Sequence, residues 1–278
     1  TKPYSICGKK ALPAQSGGSA SSDSKFTEKS DRPAGKNGLL KNILSNYFQL
    51  SKLRPMRILI IYKAAFSCAI ALFNIGTVYY MRYCAGLSNT YISGVYFITS
   101  AVFLTTTPLV NKMALKLGKA NQQKIFLGSA ALTGLSIFFF FPESIAAQNS
   151  FWQLSTPIFY DIVEVDEFVN GKKREGDIMS MVSVLGTLST SVIVQIFGVL
   201  LNFSGYDPAE TVQPETVVTF LELAYVLAPS LCFLTGAAAL AKFSLNKKTF
   251  ASLSAAVKKK NAGEDFSEYA EDIDKILK

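Results

Sequence analysis

The chain has 278 residues, of which 49% are hydrophobic and only 17% charged, and 28 Lys plus Arg against 20 Asp plus Glu leave a net charge of +8. Soluble domains carry closer to a quarter charged residues. Histidine is absent, which excludes Ser-His-Asp and Cys-His nucleophilic systems, the zinc-protease motif and histidine proton relays. The four cysteines, Cys7, Cys68, Cys84 and Cys232, are widely spaced with no C-x-x-C pair, so neither a disulfide framework nor a zinc ribbon is expected. No nucleophile–base pair or metal cluster is visible, and the chain reads as a non-enzyme without a cofactor. It begins at Thr1, which predicts a processed chain, an excised piece or an incomplete gene product, and its start does not resemble a signal peptide.

A mean hydropathy of +0.26 averages polar ends, about 1–57 and 244–278, with a far more apolar middle. Residues 14–38 are rich in Ser, Gly and Lys and follow no period, so residues 1–38 are expected to be a flexible cytoplasmic linker. Leu39, Leu40, Ile43, Leu44, Tyr47 and Phe48 then recur at helical spacing, predicting a short amphipathic helix. Apolar stretches near the ~20 residues needed to cross a bilayer follow at 58–80, 91–110, 125–141, 178–203 and 217–243. A sixth stretch, 144–163, contains Gln148, Asn149, Gln153, Pro157 and Asp161, and its hydropathy leaves it undecided. The C-terminal tail carries Phe266, Tyr269, Ile273 and Ile276 among many acids and is expected to form a short surface helix.

Loop charge decides the sixth stretch. Lys and Arg remain on the cytoplasmic side. Residues 1–57 hold eleven bases, 81–90 only Arg82, and 111–124 Lys112, Lys116, Lys119 and Lys124 without an acid. Residues 142–150 hold Glu143 and no base, 164–177 hold Lys172, Lys173 and Arg174, 204–216 hold Asp207, Glu210 and Glu215 and no base, and the tail is again Lys-rich. This alternation requires 144–163 to cross. The sequence therefore predicts an all-α, polytopic membrane protein, with a six-helix transmembrane domain at 39–250, a cytoplasmic tail at 251–278 and both termini cytoplasmic in the cell membrane. Residues 1–57 carry eleven bases and three acids, which is +8, while the remainder has seventeen of each, so the whole excess charge lies ahead of the first apolar stretch. Small residues such as Gly128, Ser129, Gly134 and Gly236 predict close helix approach. Lys63 is expected to snorkel towards the cytoplasm, and Glu222 to lie near the outer surface. Gln195, Asn202 and Asn74 would hydrogen-bond between helices or line a cavity. A nucleic-acid-binding role is excluded because the basic residues flank apolar spans.

The most unusual local sequence runs from Asp161 to Asp177: Asp161, Glu164, Asp166 and Glu167, then Lys172, Lys173 and Arg174, then Glu175, Gly176 and Asp177. Asp161 and Glu164, three apart, share a helix face and would repel unless a cation stands opposite. The run is either a solvated loop or an ion-pair latch between helix ends. The pattern Asp-x-x-Glu-x-x-Glu followed by Gly-Lys-Lys-Arg-Glu-Gly resembles the glycoside-pentoside-hexuronide:cation symporters, sugar carriers of the major facilitator superfamily that include melibiose-type permeases. Lys52-Leu-Arg-Pro55 and Gly205-Tyr206 extend the resemblance to about residues 39–250, and it matches that family's C-terminal half, helices 7 to 12.

The resemblance implies the half of a sugar symporter that works by alternating access with a missing N-terminal six-helix half, in a lipid bilayer, on a sugar or glycoside. The coupling cation, Na+ or H+, would bind in the missing half, so no ligand for it is assigned. Trp152 stands where such carriers place a tryptophan that packs on the sugar, although it could equally be an interfacial or packing tryptophan. Ser183 falls at a sugar-contacting hydroxyl, and Thr187 where the family has a lysine, so Trp152, Ser183 and Thr187 form the expected substrate site. Asp161, Glu164, Glu167, Lys172, Lys173, Arg174 and Glu175 form the expected cytoplasmic gate, with Lys173 in place of an arginine that would pair bidentately. The resemblance breaks between Phe141 and Phe151, implying a fourth span shortened by about half. The missing lysine and the shortened span leave one alternative: a non-transporting membrane sensor or a truncated remnant of such a carrier.

Overall fold

The computed structural model describes residues 36–135, 141–210 and 212–277. The chain divides at Ser45, and the contacts that follow belong to the larger unit, Asn46–Lys278. The expected linker lies, up to residue 35, outside the described residues.

Helix α1 (Lys36–Ser51) takes up the amphipathic segment, and Pro55 starts α2 (Arg54–Tyr79), where its missing N–H costs nothing. A π-helical turn, Tyr80–Cys84, extends α2. Then come α3 (Asn89–Leu117), α4 (Lys119–Leu135), α5 (Phe141–Asn170), α6 (Glu175–Phe203) and α7 (Glu215–Glu222). A second π turn, Leu223–Leu227, leads into α8 (Ala228–Ala241). Helix α9 (Lys247–Ala262) and, after a 3-10 turn, α10 (Ala270–Leu277) complete the chain, which has no strand among the described residues. Gly118, at φ +82°, is the single residue between α3 and α4, and Gly171, at φ +66°, closes α5 where a Cβ would be strained.

Among the described residues, four helical stretches are long and apolar enough to cross a membrane: Arg54–Cys84, Asn89–Leu117, Glu175–Phe203 and Glu215–Ala241. They carry the first, second, fifth and sixth expected spans. The expected third span falls on α4 and residues 136–141, of which 136–140 lie outside the described residues. The fourth falls on α5, which is not limited by length: its 30 residues make ~45 Å.

Helix α2 is central and packs on α6 and α8, while α4 packs on α8 and α5, and α3 on α5. The main core joins Tyr62 and Phe66 of α2 to Leu127 of α4, Phe151 and Ile158 of α5 and Phe233 of α8. The Phe66 and Phe151 rings stack with centroids 3.5 Å apart. Polar links cross the same core: Tyr62 donates to Gln123 Oε1 (3.1 Å), Gln123 donates to the Ser150 carbonyl (2.5 Å) and Gln122 donates to the Val110 carbonyl (2.9 Å), tying α2, α3, α4 and α5 together. In lipid such bonds replace the hydrophobic drive for association. At the other end, Leu72, Phe197, Val217 and Leu221 form a second cluster bordered by Tyr79, Tyr83 and Tyr206.

Small residues allow close approach at particular points. An ideal Cβ on Gly76 would stand 3.0 Å from Tyr225 Cδ2, and one on Gly236 would stand 3.3 Å from Leu127 Cδ2, whereas nothing lies within 4 Å of one on Gly128. The outer faces of α3 and α6 remain apolar and exposed, as at Phe97, Leu104, Leu188 and Val192. Faces of this size belong against lipid or protein.

Candidate functional site

The acidic–basic run occupies the end of α5 and the start of α6. Helix phase ranks its carboxylates. Asp166 lies four residues after Ile162 and eight after Ile158, on the stripe that α5 turns to the core, and it is fully buried. A charge placed there needs a close partner. Arg174 supplies a fork, with Nε 2.8 Å from Asp166 Oδ2 and Nη2 2.6 Å from Oδ1, and Asn170 donates to Oδ1 at 2.7 Å. Asp166 holds the Arg174 guanidinium pKa above its ordinary value through these hydrogen bonds, which outweigh partial burial. The remaining arm of Arg174 donates to Gln49 Oε1 at 3.0 Å, and Asn46 donates to Asp177 Oδ2 at 2.7 Å, so the end of α1 is fastened to the first turn of α6. The bidentate pairing thus comes from Arg174, one residue beyond Lys173.

Asp161, one turn and a half earlier, has a different partner. Lys119, at the start of α4, lies 2.8 Å from Oδ1 and 3.1 Å from Oδ2, and also donates to the Pro157 carbonyl at 3.3 Å. This pair borders a cavity of about 470 Å³ whose wall includes Leu154, Leu245, Lys247 and Phe250. Glu164 shares the face of Asp161, but its Oε2 is buried without a hydrogen-bond partner among the described residues. Glu167 accepts from Asn261 of α9 at 3.0 Å, and Lys260 caps the Phe168 carbonyl while its ammonium rests over the Phe168 ring. The C-terminal helices are therefore part of this end of the bundle: Ile273 and Ile276 of α10 are buried. Lys172 is exposed, and Lys173 reaches Glu175 only at 4.0 Å with both side chains more than half exposed. Such a pair contributes little.

The expected substrate residues occupy another level. Trp152 on α5 is 58% exposed and sits edge-on to Phe151. Ser183 and Thr187 on α6 are exposed, and their hydroxyls donate to the Met179 and Ser183 carbonyls, which leaves the oxygen lone pairs free to accept. Lys63 lies between Trp152 and Gly186 of α6. Its ammonium is 4.6 Å from the Phe151 ring centroid and 5.8 Å from that of Trp152, and an ideal Cβ on Gly186 would stand 3.0 Å from its Cε. Lys63 follows Arg54 by nine residues, ~13 Å along α2. It turns towards α5 and α6 at the level of Phe66 and does not snorkel to the end of its helix, because the gap at Gly186 and the two ring faces hold it there. Glu222, Asn74, Gln195 and Asn202 are all exposed.

Asp166, Lys119, Lys63, Gln49 and Asn261 were thus outside the sequence-derived site. Only Asp166 had a readable signal, its phase on the apolar stripe of α5. The others depend on contacts between distant segments. No curated protein sequence matches the chain. A family profile described as MFS/sugar transport protein matches residues 20–247. That match covers most of the chain and joins the four helices able to cross a membrane to the ion-paired helix ends: the chain is a multi-pass membrane protein of the MFS/sugar transport protein family, within the transporters of the major facilitator superfamily.

Proposed function

We propose that the chain is the C-terminal six-helix half of a sugar:cation symporter of the glycoside-pentoside-hexuronide type, seated in the cell membrane with both of its ends cytoplasmic. Helices α4 and α5 are the third and fourth spans, as the alternation of loop charge requires. Transport is by alternating access, the two halves rocking about a midplane site. The observation that carries this reading is the pair of cross-links at one end of the bundle, Lys119–Asp161 and Arg174–Asp166, which join α4 to α5 and α5 to α6. Ion pairs of this kind form a gate because they can be broken and remade as helix ends separate. Glu164, Glu167, Lys172, Lys173 and Glu175 surround them and set the local charge. Trp152, Ser183 and Thr187 line one wall of the sugar site: the indole stacks on the C–H face of a sugar ring, and the hydroxyl oxygens accept from sugar hydroxyls. The coupling cation, Na+ or H+, binds in the other half.

The test is co-expression with the N-terminal half of a family member, followed by uptake of labelled galactoside or xyloside. Trp152→Ala is expected to reduce uptake about tenfold, the equivalent of one stacking contact at 1–1.5 kcal/mol. Uptake that is indifferent to this substitution would remove Trp152 from the site.

A further inference from the structure

The cavity beside Lys119 and Asp161 has no task in the reading above. Its volume of about 470 Å³ lies between the end of α3, the start of α4, the middle of α5 and the turn from α8 to α9, and is of the size of small-ligand sites. Most of its wall is apolar, as at Ala114, Leu115, Leu154, Leu245 and Phe250. Asp161 is the one carboxylate on that wall among the described residues, and Lys119 holds it at 2.8 Å while standing 5.8 Å from the Phe250 ring centroid. Lys247 is different. Its stem lies against the turn between α3 and α4, where an ideal Cβ on Gly118 would stand 3.9 Å from Lys247 Cβ. Its side chain is exposed, and no carboxylate stands within ion-pair distance of it among the described residues. Lys112 and Lys116 on the last turns of α3, and Lys248 on α9, are exposed as well. The cavity is therefore apolar within and cationic at its rim.

The opening lies beside lipid-facing surface. Leu104, Asn111 and Leu115 are seven and four residues apart, on one stripe of α3, and Leu104 and Leu115 are 73% and 76% exposed. That stripe belongs to a helix able to cross a membrane, so the outer face of α3 leads into the cavity wall at Leu115.

We propose that the cavity is a binding site for an anionic phospholipid, one acyl chain entering along α3 against Leu115 and Leu154 and the phosphate held at the rim by Lys247. Apolar contact alone hardly distinguishes a chain in the cavity from one in the bilayer around it, so selection falls to the headgroup. An ammonium without a counter-ion takes a phosphate oxygen by a charge-assisted hydrogen bond, and a basic pocket between helix ends favours anionic headgroups. Asp161 does not oppose this, because Lys119 already takes up its charge. The site makes no use of the sugar-binding residues.

The full chain in a neutral detergent is melted against rising concentrations of three probes: dioleoyl phosphatidylglycerol; dioleoyl phosphatidylcholine, with the same chains and no net charge; and glycerol phosphate, a phosphate without chains. The concentration dependence of Tm gives each apparent affinity. Phosphatidylglycerol is expected to bind at least about tenfold more tightly than phosphatidylcholine, the span of one charge-assisted hydrogen bond, and glycerol phosphate to leave Tm unchanged. Lys247→Gln should erase most of that ratio. Lys258→Gln, at an exposed lysine ~16 Å further along α9, should leave it intact. Ala114→Leu, which adds bulk to the wall, should weaken both lipids together, and Leu115→Glu, at an exposed wall position, should lower the ratio by setting a negative charge at the opening. The lipid-free melt of each variant shows whether it folds. A ratio near one, or a ratio that survives in Lys247→Gln, overturns the assignment. So does an equal loss in Lys258→Gln, which would show attraction to the surface at large, and so does a response to glycerol phosphate that matches phosphatidylglycerol, which would show a phosphate site without a lipid. Unchanged lipid affinities in folded Ala114→Leu would remove the acyl chain from the cavity and overturn it equally.

Discussion

Asp166 is the residue whose loss should damage the charged end most. In Asp166→Ala, three N–H donors, Arg174 Nε and Nη2 and Asn170 Nδ2, lose their acceptor together. The Arg174 side chain is only 9% exposed and would be left as an uncompensated cation. Removing one partner of a buried ion pair costs about 3–5 kcal/mol. For a chain of this size that corresponds to a loss of roughly 6–20 °C in Tm. Lys173→Gln provides the contrast: its contact with Glu175 is long and both groups are exposed, so the expected change is below about 0.5 kcal/mol. The double variant Asp166→Ala with Arg174→Met removes the orphaned charge and should recover most of the loss. Because the hydrogen bonds to Asp166 raise the Arg174 pKa in the folded chain, the arginine's contribution is complete below its unfolded value and is lost only as pH rises through the raised one. The penalty measured for Asp166→Ala should therefore not change as pH rises from neutral to mildly alkaline. The assay is thermal unfolding in detergent. A shift in Asp166→Ala no larger than in Lys173→Gln, or a double variant no more stable than Asp166→Ala, would refute the assignment of this pair as the anchor of the helix ends.

Gly76→Ala should destabilise by about 1–3 kcal/mol, because the new methyl would meet Tyr225 Cα at 3.3 Å as well as its ring. Gly236→Ala is tight only against the tip of the Leu127 side chain, at 3.3 Å, and meets Ala65 and Tyr62 at an ordinary 3.9 Å, so it should lie near zero in the same melt. Burial and the hydrogen bond with the Tyr83 hydroxyl push the Tyr206 phenol up to about 12, so its contribution to stability is present below the unfolded value of ~10 and is lost as pH rises from there through about 12. In an absorbance titration, Tyr83→Phe should bring the Tyr206 step down; a titration that matches wild type would show the pair is not formed. With the native cysteines replaced, Lys172→Cys and Glu210→Cys, both exposed and at opposite ends of α6, should react with an impermeant thiol reagent from opposite faces of the membrane, and labelling of both from one face would exclude α6 as a span.

Much of the fold was legible because a bilayer imposes a simple rule on composition. The runs at 58–80, 91–110, 178–203 and 217–243 each lie within, or within two residues of, one of the four apolar helical stretches, since a span needs both length and an almost complete lack of charge. The tail was legible for another reason: Ile273 and Ile276 fall on one face of an otherwise acidic segment, and that face is buried in α10. The partners of the charged residues were not legible. Composition could say that Asp161 needed a cation, but Lys119 is 42 positions away and reaches it only because Gly118 allows α4 to begin where it does. The same limit applied to Lys173, which looked like the arginine position of the latch although the fork belongs to its neighbour Arg174.

Lys63 shows the limit most sharply, because the general rule pointed the wrong way. A lysine a few residues inside an apolar run can normally extend its four-carbon chain to the interface, and nothing near Lys63 in the sequence argues against this. What holds it is remote: the rings of Phe151 and Trp152, nearly ninety positions later, and a missing side chain at Gly186. Each of the three has an ordinary reading when taken alone, as packing aromatics and a helix glycine. Their convergence on one ammonium fixes where that charge stands, between α5 and α6. A charge supplied from α2 can stand against α6, since Gly186 brings the two helices to within a side-chain contact. Position along the chain and position in the bundle are therefore separate quantities, and the first does not give the second.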